Sequence, residues 1–189
     1  MKLRESGMPD ESYWESLFDV NLILDRLEID CRVGDVVELG CGYGTFALPV
    51  ARRISGTVRT YDIDAEMVNR TIRRAAAEGV GNIICEQRDV FQHGFGLAPE
   101  SQDACLLFNI LRCEEPLRIL GEAARIVRRT GAVHVTHWRY DPATPRGPSM
   151  EIRPRPEQIL EWGSTAGLIA SDPVLDLPPW HYGIRFCRA

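Results

Sequence analysis

Hydrophobic and polar positions follow one another in a regular rhythm of short apolar runs and longer stretches with helical spacing. Apolar runs at 35–39, 57–63, 82–87, 103–111 and 132–138 predict buried strands. Helical spacing at 46–54, 65–79 and 114–129 predicts the helices between them. The run at 103–111 is apolar on both faces, as a central parallel strand is. This rhythm predicts an α/β fold: a doubly wound, mostly parallel sheet with helices on both faces.

The two ends of the chain depart from this rhythm. Residues 12–29 carry apolar side chains at helical spacing and predict one amphipathic helix. Residues 139–156 hold five prolines and four arginines, which predicts a Pro/Arg-rich excursion that is either ordered or flexible. A helix at 156–167 follows, and then a terminal hairpin or two strands that close the edge of the sheet.

Length and charge narrow the classes of protein. With 189 residues the chain predicts a single domain at 1–189, including an N-terminal helical segment at 1–33. A formal net charge of −5 argues against nucleic acid as a partner. No run is long and apolar enough for a membrane span, and the first residues lack a signal-peptide core. We therefore expect a cytoplasmic protein that acts on small molecules.

The six cysteines do not form a CxxC pair or a Cys/His cluster. A zinc site needs such close spacing, so no metal site is expected. The cysteines lie mostly in apolar surroundings and are interpreted as reduced, buried thiols.

The segment VVELGCGYGTF, residues 36–46, carries the strongest functional signal. A strand containing Glu38 runs into a turn with Gly40, Gly42 and Gly44, and a helix follows. Glycines there allow a tight turn and a close approach of a ligand to the backbone. Asp62 ends the next strand, at the spacing of a carboxylate that binds a ribose. The set predicts a nucleotide-type ligand.

Two details of this turn favour S-adenosylmethionine (SAM) over a dinucleotide. A GxGxxG fingerprint needs its third glycine at position 45, where the chain has Thr45. Glu38 would repel a pyrophosphate, whereas a carboxylate suits the ammonium group of SAM. An NAD-dependent dehydrogenase is correspondingly disfavoured.

Residues 34–138 resemble the class I, Rossmann-like SAM-dependent methyltransferases. ELGCGYG resembles their motif I and YDIDAEMV their second motif. NIICEQRDV, QDACLLFNIL and EAARIVRRTGAV resemble the third strand, the fourth strand, and the helix and fifth strand that follow, in the family's order. The resemblance implies a seven-stranded sheet with an antiparallel C-terminal edge strand, SAM as methyl donor and S-adenosylhomocysteine as product.

The resemblance also implies roles for individual residues. The methionine moiety would be held by Glu38 and the turn, with Gly40, Cys41, Gly42 and Gly44. Asp62 would bind the ribose hydroxyls with Ile63 against the adenine, and Asp89 with the Val90 backbone would meet the adenine edge. Asn109 would face the methyl group and take part in catalysis. The NPPY motif of amino-directed enzymes is absent after Asn109, which argues against a nucleic-acid or glutamine amine.

Several residues near the predicted site admit two interpretations. His137 ends the fifth strand and either serves as a general base or packs in the core, whereas mid-strand His134 is interpreted as a core residue. The helix with Tyr13, Trp14 and Phe18 is either a lid over SAM or packed on the sheet. Arg112 lies near the methyl group or in solvent, and Asp64 is interpreted as a helix cap rather than a ribose contact.

The Pro/Arg-rich excursion supplies further candidates for acceptor binding. Its arginines either bind an anionic group of the acceptor or lie in a solvated loop. The candidates in and near it are Trp138, Arg139, Arg146, Arg153, Arg155, His181 and Tyr182.

The sequence therefore predicts methyl transfer from SAM to a small acceptor, which can be anionic, by SN2 displacement. The alternatives are a non-catalytic SAM-binding module, a methyltransferase that acts on protein or nucleic acid and, less favoured, an NAD-dependent dehydrogenase. The oligomeric state is not predicted.

Overall fold

One β-sheet organises the protein, seen here in a computed structural model that describes residues 8–171 and 173–189. Its strands are β1 (Val36–Leu39), β2 (Val58–Asp62), β3 (Ile83–Gln87), β4 (Gln102–Phe108), β5 (Val127–Trp138), β6 (Leu168–Ala170), β7 (Leu175–Leu177) and β8 (His181–Arg188). Its helices are α1 (Glu11–Glu15), α2 (Val20–Arg26), α3 (Ala47–Arg53), α4 (Ala65–Ala77), α5 (Val90–His93), α6 (Pro116–Ile126) and α7 (Pro156–Thr165).

The strand order is β3-β2-β1-β4-β5-β8-β6, and β7 also pairs with β8. The strands β3, β2, β1, β4 and β5 pair with one another in parallel, and β8 is antiparallel to β5. The predicted fold class is confirmed, with two differences in detail. The sheet of the described residues has eight strands rather than seven. The antiparallel strand β8 is covered on its outer side by two short strands in tandem, β7 along 181–183 and β6 along 186–188.

Apolar side chains alternate between the two faces of the sheet and bury both. On β1, Val36 packs into a core with α2 and α3, whereas Val37 packs into a second core with α6 and α7. The same alternation holds for Ala104 and Cys105 on β4. Period-two alternation places successive side chains on opposite faces, so helices cover both sides of the parallel strands.

The prediction of a single N-terminal helix at 12–29 is wrong. The chain forms two short helices instead, and residues 16–19 separate them. The carboxylate of Asp19 accepts a hydrogen bond from the amide of Leu22 at 3.0 Å and so begins α2. The apolar stripe still packs inward, because Leu17, Phe18 and Leu24 are buried. Residues 1–7 of the predicted N-terminal segment lie outside the described residues.

The boundary between the last crossover helix and the fifth strand also differs from the prediction. The helix ends at Ile126 and the strand begins at Val127, so 127–129 are strand rather than helix. Val127 pairs with Gln102, and the pairing then shifts register before Ala104 meets Ala132. Gly131 fits this irregularity, because a Cβ there would lie 2.4 Å from the carbonyl oxygen of Asp103. Pairing between strands thus overrides the helical spacing of this segment.

The Pro/Arg-rich excursion at 139–156 is an ordered loop built around one buried side chain. Arg153 is 7% exposed and donates hydrogen bonds to the carbonyl oxygens of Pro148, Arg139 and Asp141. Buried carbonyl groups need partners, and a guanidinium supplies several donors at once. The described residues contain no helix long and apolar enough to cross a membrane.

Candidate active site

Polar residues at the carboxyl ends of β1, β2, β3 and β4 meet around one cavity of about 410 Å³, which Trp138 at the end of β5 also lines. Strands in a sheet are spaced about 4.8 Å apart, so the edge from β3 to β5 spans roughly 19 Å. The residues that line the cavity are Met8, Trp14, Glu38, Leu39, Gly40, Cys41, Gly42, Thr45, Phe46, Asp62, Ile63, Arg88, Asp89, Val90, Phe91, Phe108, Asn109, Ile110, Arg112, Cys113, Trp138, Arg146, Gly147 and Pro148. Ligands of open parallel sheets bind at this edge.

The turn between β1 and α3 forms the floor of the cavity. The φ values of Gly40, Gly42 and Gly44 are +90°, +50° and +75°, in a region that residues other than glycine rarely adopt. The amide of Gly40 donates to the carbonyl oxygen of Tyr61 at 2.7 Å, which ties the turn to β2. A Cβ on Gly44 would lie 2.5 Å from Leu48, so the turn packs tightly on α3. The backbone of the turn at Gly40 and Gly42 therefore lines the cavity.

Asp62 connects this turn to the end of β2. One carboxylate oxygen accepts a hydrogen bond from the amide of Gly42 at 3.1 Å, and the other accepts from the amide of Asp64 at 3.0 Å. Asp62 is 8% exposed, and burial raises the pKa of its carboxyl group. Asp64 itself caps α4 through the amide of Glu66 at 2.8 Å, as its sequence position indicated.

Glu38 is the most unusual charge in the cavity. It is 2% exposed, and among the described residues its hydrogen-bond donor is the hydroxyl of Thr60 at 2.8 Å. Burial, with a smaller contribution from the nearby carboxylate of Asp62, raises the pKa of Glu38 to about 8. A buried carboxyl without a cation is costly to ionise, and a cationic ligand in the cavity would lower that cost.

The adenine side of the predicted site lies beyond β2 and β3. Ile63 is 40% exposed and lines the cavity, as does the buried Val90 at the start of α5. Asp89 caps α5 through the amide of Gln92 at 3.1 Å and also lines the cavity. The structure therefore brings to the cavity lining the residues that the sequence assigned to cofactor binding, except Gly44, which lies in the glycine turn but not in the lining.

Asn109 occupies a distinct backbone conformation directly after β4. Its φ is +59°, and its amide donates to the carbonyl oxygen of Thr136 at 2.8 Å. Asparagine tolerates this left-handed region better than most residues. The side-chain oxygen of Asn109 is buried and has no hydrogen-bond partner within residues 8–171 and 173–189. An orphaned acceptor at the cavity fits a ligand that carries an N–H or O–H donor.

The predicted acceptor residues divide into two groups. Trp14, Arg112, Trp138 and Arg146 line the cavity. Arg139 pairs with Asp176, Tyr13 is 42% exposed on α1, and neither is part of the lining. Of the remaining excursion arginines, Arg153 bonds loop carbonyl groups, and Arg155 stacks 3.9 Å from the centroid of the Tyr140 ring.

His137 and His181 do not reach the cavity. Side chains 133, 135 and 137 face the core with α6 and α7, whereas Trp138 faces the opposite core. His137 is fully buried near Tyr182, and burial lowers its pKa to about 3. His181 is fully buried between Phe18 and Trp138, at 4.5 and 4.2 Å between ring centroids. A general base at His137 therefore has no geometric support.

Sequence reasoning missed several lining residues on the acceptor side, among them Thr45, Phe46, Phe108, Ile110 and Cys113. Most are apolar and follow directly on recognised motifs, so only their distance from the glycine turn and from Asn109 could have marked them. Among the described residues, no three His, Cys, Asp or Glu side chains are placed to hold a metal ion.

A Rossmann-like sheet with a glycine turn, a buried glutamate and an aspartate at the next strand end defines a class I SAM-dependent methyltransferase domain. The methyltransferase domain family matches residues 36–131, which are 96 of the 189 residues. The chain belongs to this family, and SAM is its cofactor. The dehydrogenase alternative is thereby removed.

Curated relatives match parts of longer proteins. The 37.1 kDa protein in transposon TN4556 of Streptomyces fradiae is 31% identical over 160 residues, which cover 78% of this chain and 45% of that protein. The 23S rRNA (uracil(1939)-C(5))-methyltransferase RlmD of Pseudomonas aeruginosa is 33% identical over 109 residues, 58% of this chain and 23% of that protein. The chain thus spans less than half the length of these relatives.

A solved structure shows the same fold over nearly the whole chain. A SAM-dependent methyltransferase from Aquifex aeolicus superposes with a TM-score of 0.83 and 20% identity, covering 95% of this chain and 94% of that chain. This similarity supports the fold and not the acceptor.

Proposed function

We propose that the protein transfers the methyl group of SAM to a small acceptor, one that can carry an anionic group, by SN2 displacement. The observation that carries this proposal is the buried carboxyl of Glu38 in one cavity with Asn109 and with Asp62, whose carboxylate accepts a hydrogen bond from the glycine turn. The sulfonium of bound SAM supplies an activated methyl group and leaves as S-adenosylhomocysteine.

The chain's own residues would bind and align the two reactants. Glu38 would pair with the ammonium of the methionine moiety, and Asp62 would accept hydrogen bonds from the ribose hydroxyls. The orphaned oxygen of Asn109 would accept a hydrogen bond at the methyl-bearing side of the cavity. Methyl transfer needs alignment and exclusion of water more than it needs a covalent catalyst. The aromatic side chains around this end of the cavity would exclude water.

A macromolecular acceptor is the second candidate, because a relative over 109 residues is an rRNA uracil methyltransferase. The net charge of −5 favours the small molecule, since binding to nucleic acid relies on neutralised phosphates. The non-catalytic SAM-binding module remains the alternative without transfer.

Methyl-labelled SAM separates these possibilities. The protein is incubated with a cell extract that is then divided by ultrafiltration into small molecules and macromolecules. We expect label in the small-molecule fraction, and loss of that label with Asp62→Ala. Label confined to macromolecules would overturn the small acceptor. Bound SAM with no label in either fraction would favour the non-catalytic module.

A further inference from the structure

The cavity has two chemically different halves, and the second one is not explained by the cofactor. Along the sheet, Asp89, Asp62 and Glu38 stand at β3, β2 and β1, which is the order of the adenine, ribose and methionine parts in the proposed function. The lining continues past Asn109 to Trp138 at the end of β5. The assignment of this β4–β5 half to the acceptor rests on the proposed function.

Aromatic rings form one connected cluster at the β4–β5 half. Phe46 and Phe108 meet edge to face with ring centroids 4.8 Å apart, and Trp14 and Trp138 do so at 6.5 Å. Phe18 lies behind them and joins the two pairs, at 5.2 Å from Phe46 and 6.1 Å from Trp138. Four of these rings line the cavity. Flat aromatic molecules gain from stacking on such surfaces, beyond the gain from burying apolar area.

Two arginines stand at the same end of the cavity. Arg112 is half-buried, and it makes no hydrogen bond or ion pair to any of residues 8–171 and 173–189. Burial lowers the pKa of Arg112, and the positive charge of Arg146 lowers it further. Arg146 comes from the loop held by Arg153, so the two guanidinium groups are brought together by different segments. A partly buried guanidinium without an anion is costly, so an anion in the cavity would stabilise Arg112.

We infer that the β4–β5 half of the cavity binds a flat aromatic acid, with its ring against those of Trp14, Phe46, Phe108 and Trp138 and its anionic group between Arg112 and Arg146. A lone pair on the acceptor forms the bond to the methyl carbon. The carbon–sulfur bond breaks and its electron pair stays on sulfur, while any proton on the acceptor atom leaves to water. A guanidinium fork suits a carboxylate in particular.

The test uses 2-naphthoate as the probe and the full chain saturated with S-adenosylhomocysteine. Calorimetry compares 2-naphthoate with its neutral counterpart 2-naphthamide and with the non-aromatic anion cyclohexanecarboxylate. We expect 2-naphthoate to bind at least tenfold more tightly than either. Arg112→Gln should weaken the binding of 2-naphthoate at least tenfold and leave the binding of 2-naphthamide unchanged. Arg155→Gln is the matched control, since Arg155 is exposed outside the cavity.

The titration of S-adenosylhomocysteine itself separates the two possible sources of the carboxylate. Weaker binding of S-adenosylhomocysteine to Arg112→Gln would mean that Arg112 holds the cofactor's own carboxylate, and this would overturn the inference. Equal binding of 2-naphthoate and 2-naphthamide would overturn it too, as would tight binding of a uridine oligonucleotide without binding of 2-naphthoate. Failure of S-adenosylhomocysteine to bind the wild type is a different result, because it removes the proposed function.

Discussion

The buried carboxyl of Glu38 makes cofactor affinity depend on pH in a way that can be calculated. With a pKa of about 8 in the free protein, roughly one molecule in ten carries an ionised Glu38 at pH 7, and one in a hundred at pH 6. Pairing with the cofactor's ammonium requires the ionised form. The apparent affinity scales with the fraction of protein in that form, so it should rise about tenfold from pH 6 to 7 and about fivefold from pH 7 to 8.

Calorimetric titration of S-adenosylhomocysteine in buffers of different ionisation heat checks this directly. At pH 7 close to one proton should be released per bound ligand, because pairing lowers the pKa of Glu38 below the working pH. Glu38→Gln should abolish the proton release and flatten the pH profile. At pH 8 it should weaken binding by about 10- to 150-fold, as hydrogen bonds to charged groups contribute about 1.5–3 kcal/mol. The reasoning is refuted if Glu38→Gln keeps the wild-type slope, which would point to Asp62 instead.

Three further predictions concern the scaffold. Gly44→Ala should lower the free energy of unfolding by about 2–4 kcal/mol through backbone strain and overpacking. Gly79→Ala should lower it by only about 1–2 kcal/mol, because φ at Gly79 is +68° but a Cβ there would meet nothing within 4 Å. Equal losses in urea unfolding would contradict this. His137 has a native pKa of about 3, so the unfolded state takes up its proton first and stability is lost as pH falls below about 6.5. His137→Phe should therefore reduce the loss of stability between pH 7.5 and pH 5 by about 2 kcal/mol relative to wild type, and an unchanged loss in this variant would contradict the assignment. Arg153→Met should cost about 3 kcal/mol by leaving loop carbonyl groups unpaired and should speed amide exchange at 139–150, and unchanged exchange there would rule out its role in ordering the loop.

Much of the fold was predictable because the parallel strands are short, apolar on both faces and separated by helical spacing. The boundaries that failed depend on contacts between distant segments. The strand beginning at Val127 is set by pairing with Gln102 across a register shift. The break before α2 is set locally by Asp19, which caps that helix. In the sequence, however, the apolar positions continue past Asp19 at helical spacing, so Asp19 looks like a polar residue on the outer face of one helix.

The cofactor side of the cavity was predictable for a related reason. Strand ends of a parallel sheet meet at one edge, so polar residues at those ends converge without further information. The acceptor side depends on which face each side chain takes and on how a loop folds back. Alternation along β5 could have shown that Trp138 and His137 face opposite ways. Nothing in the loop sequence distinguishes Arg146 at the cavity from Arg153 beneath the loop.

The central claim, that this cavity holds an adenosyl ligand, is tested most directly by calorimetric titration with SAM, S-adenosylhomocysteine and NADH. The variants are Asp62→Ala and, as a control, Asp19→Ala, which removes a helix cap outside the cavity. We predict that both adenosyl ligands bind to the wild type and to Asp19→Ala, bind weakly to Asp62→Ala, and that NADH does not bind. Folded wild-type protein that binds neither adenosyl ligand, or that binds NADH instead, would contradict the account.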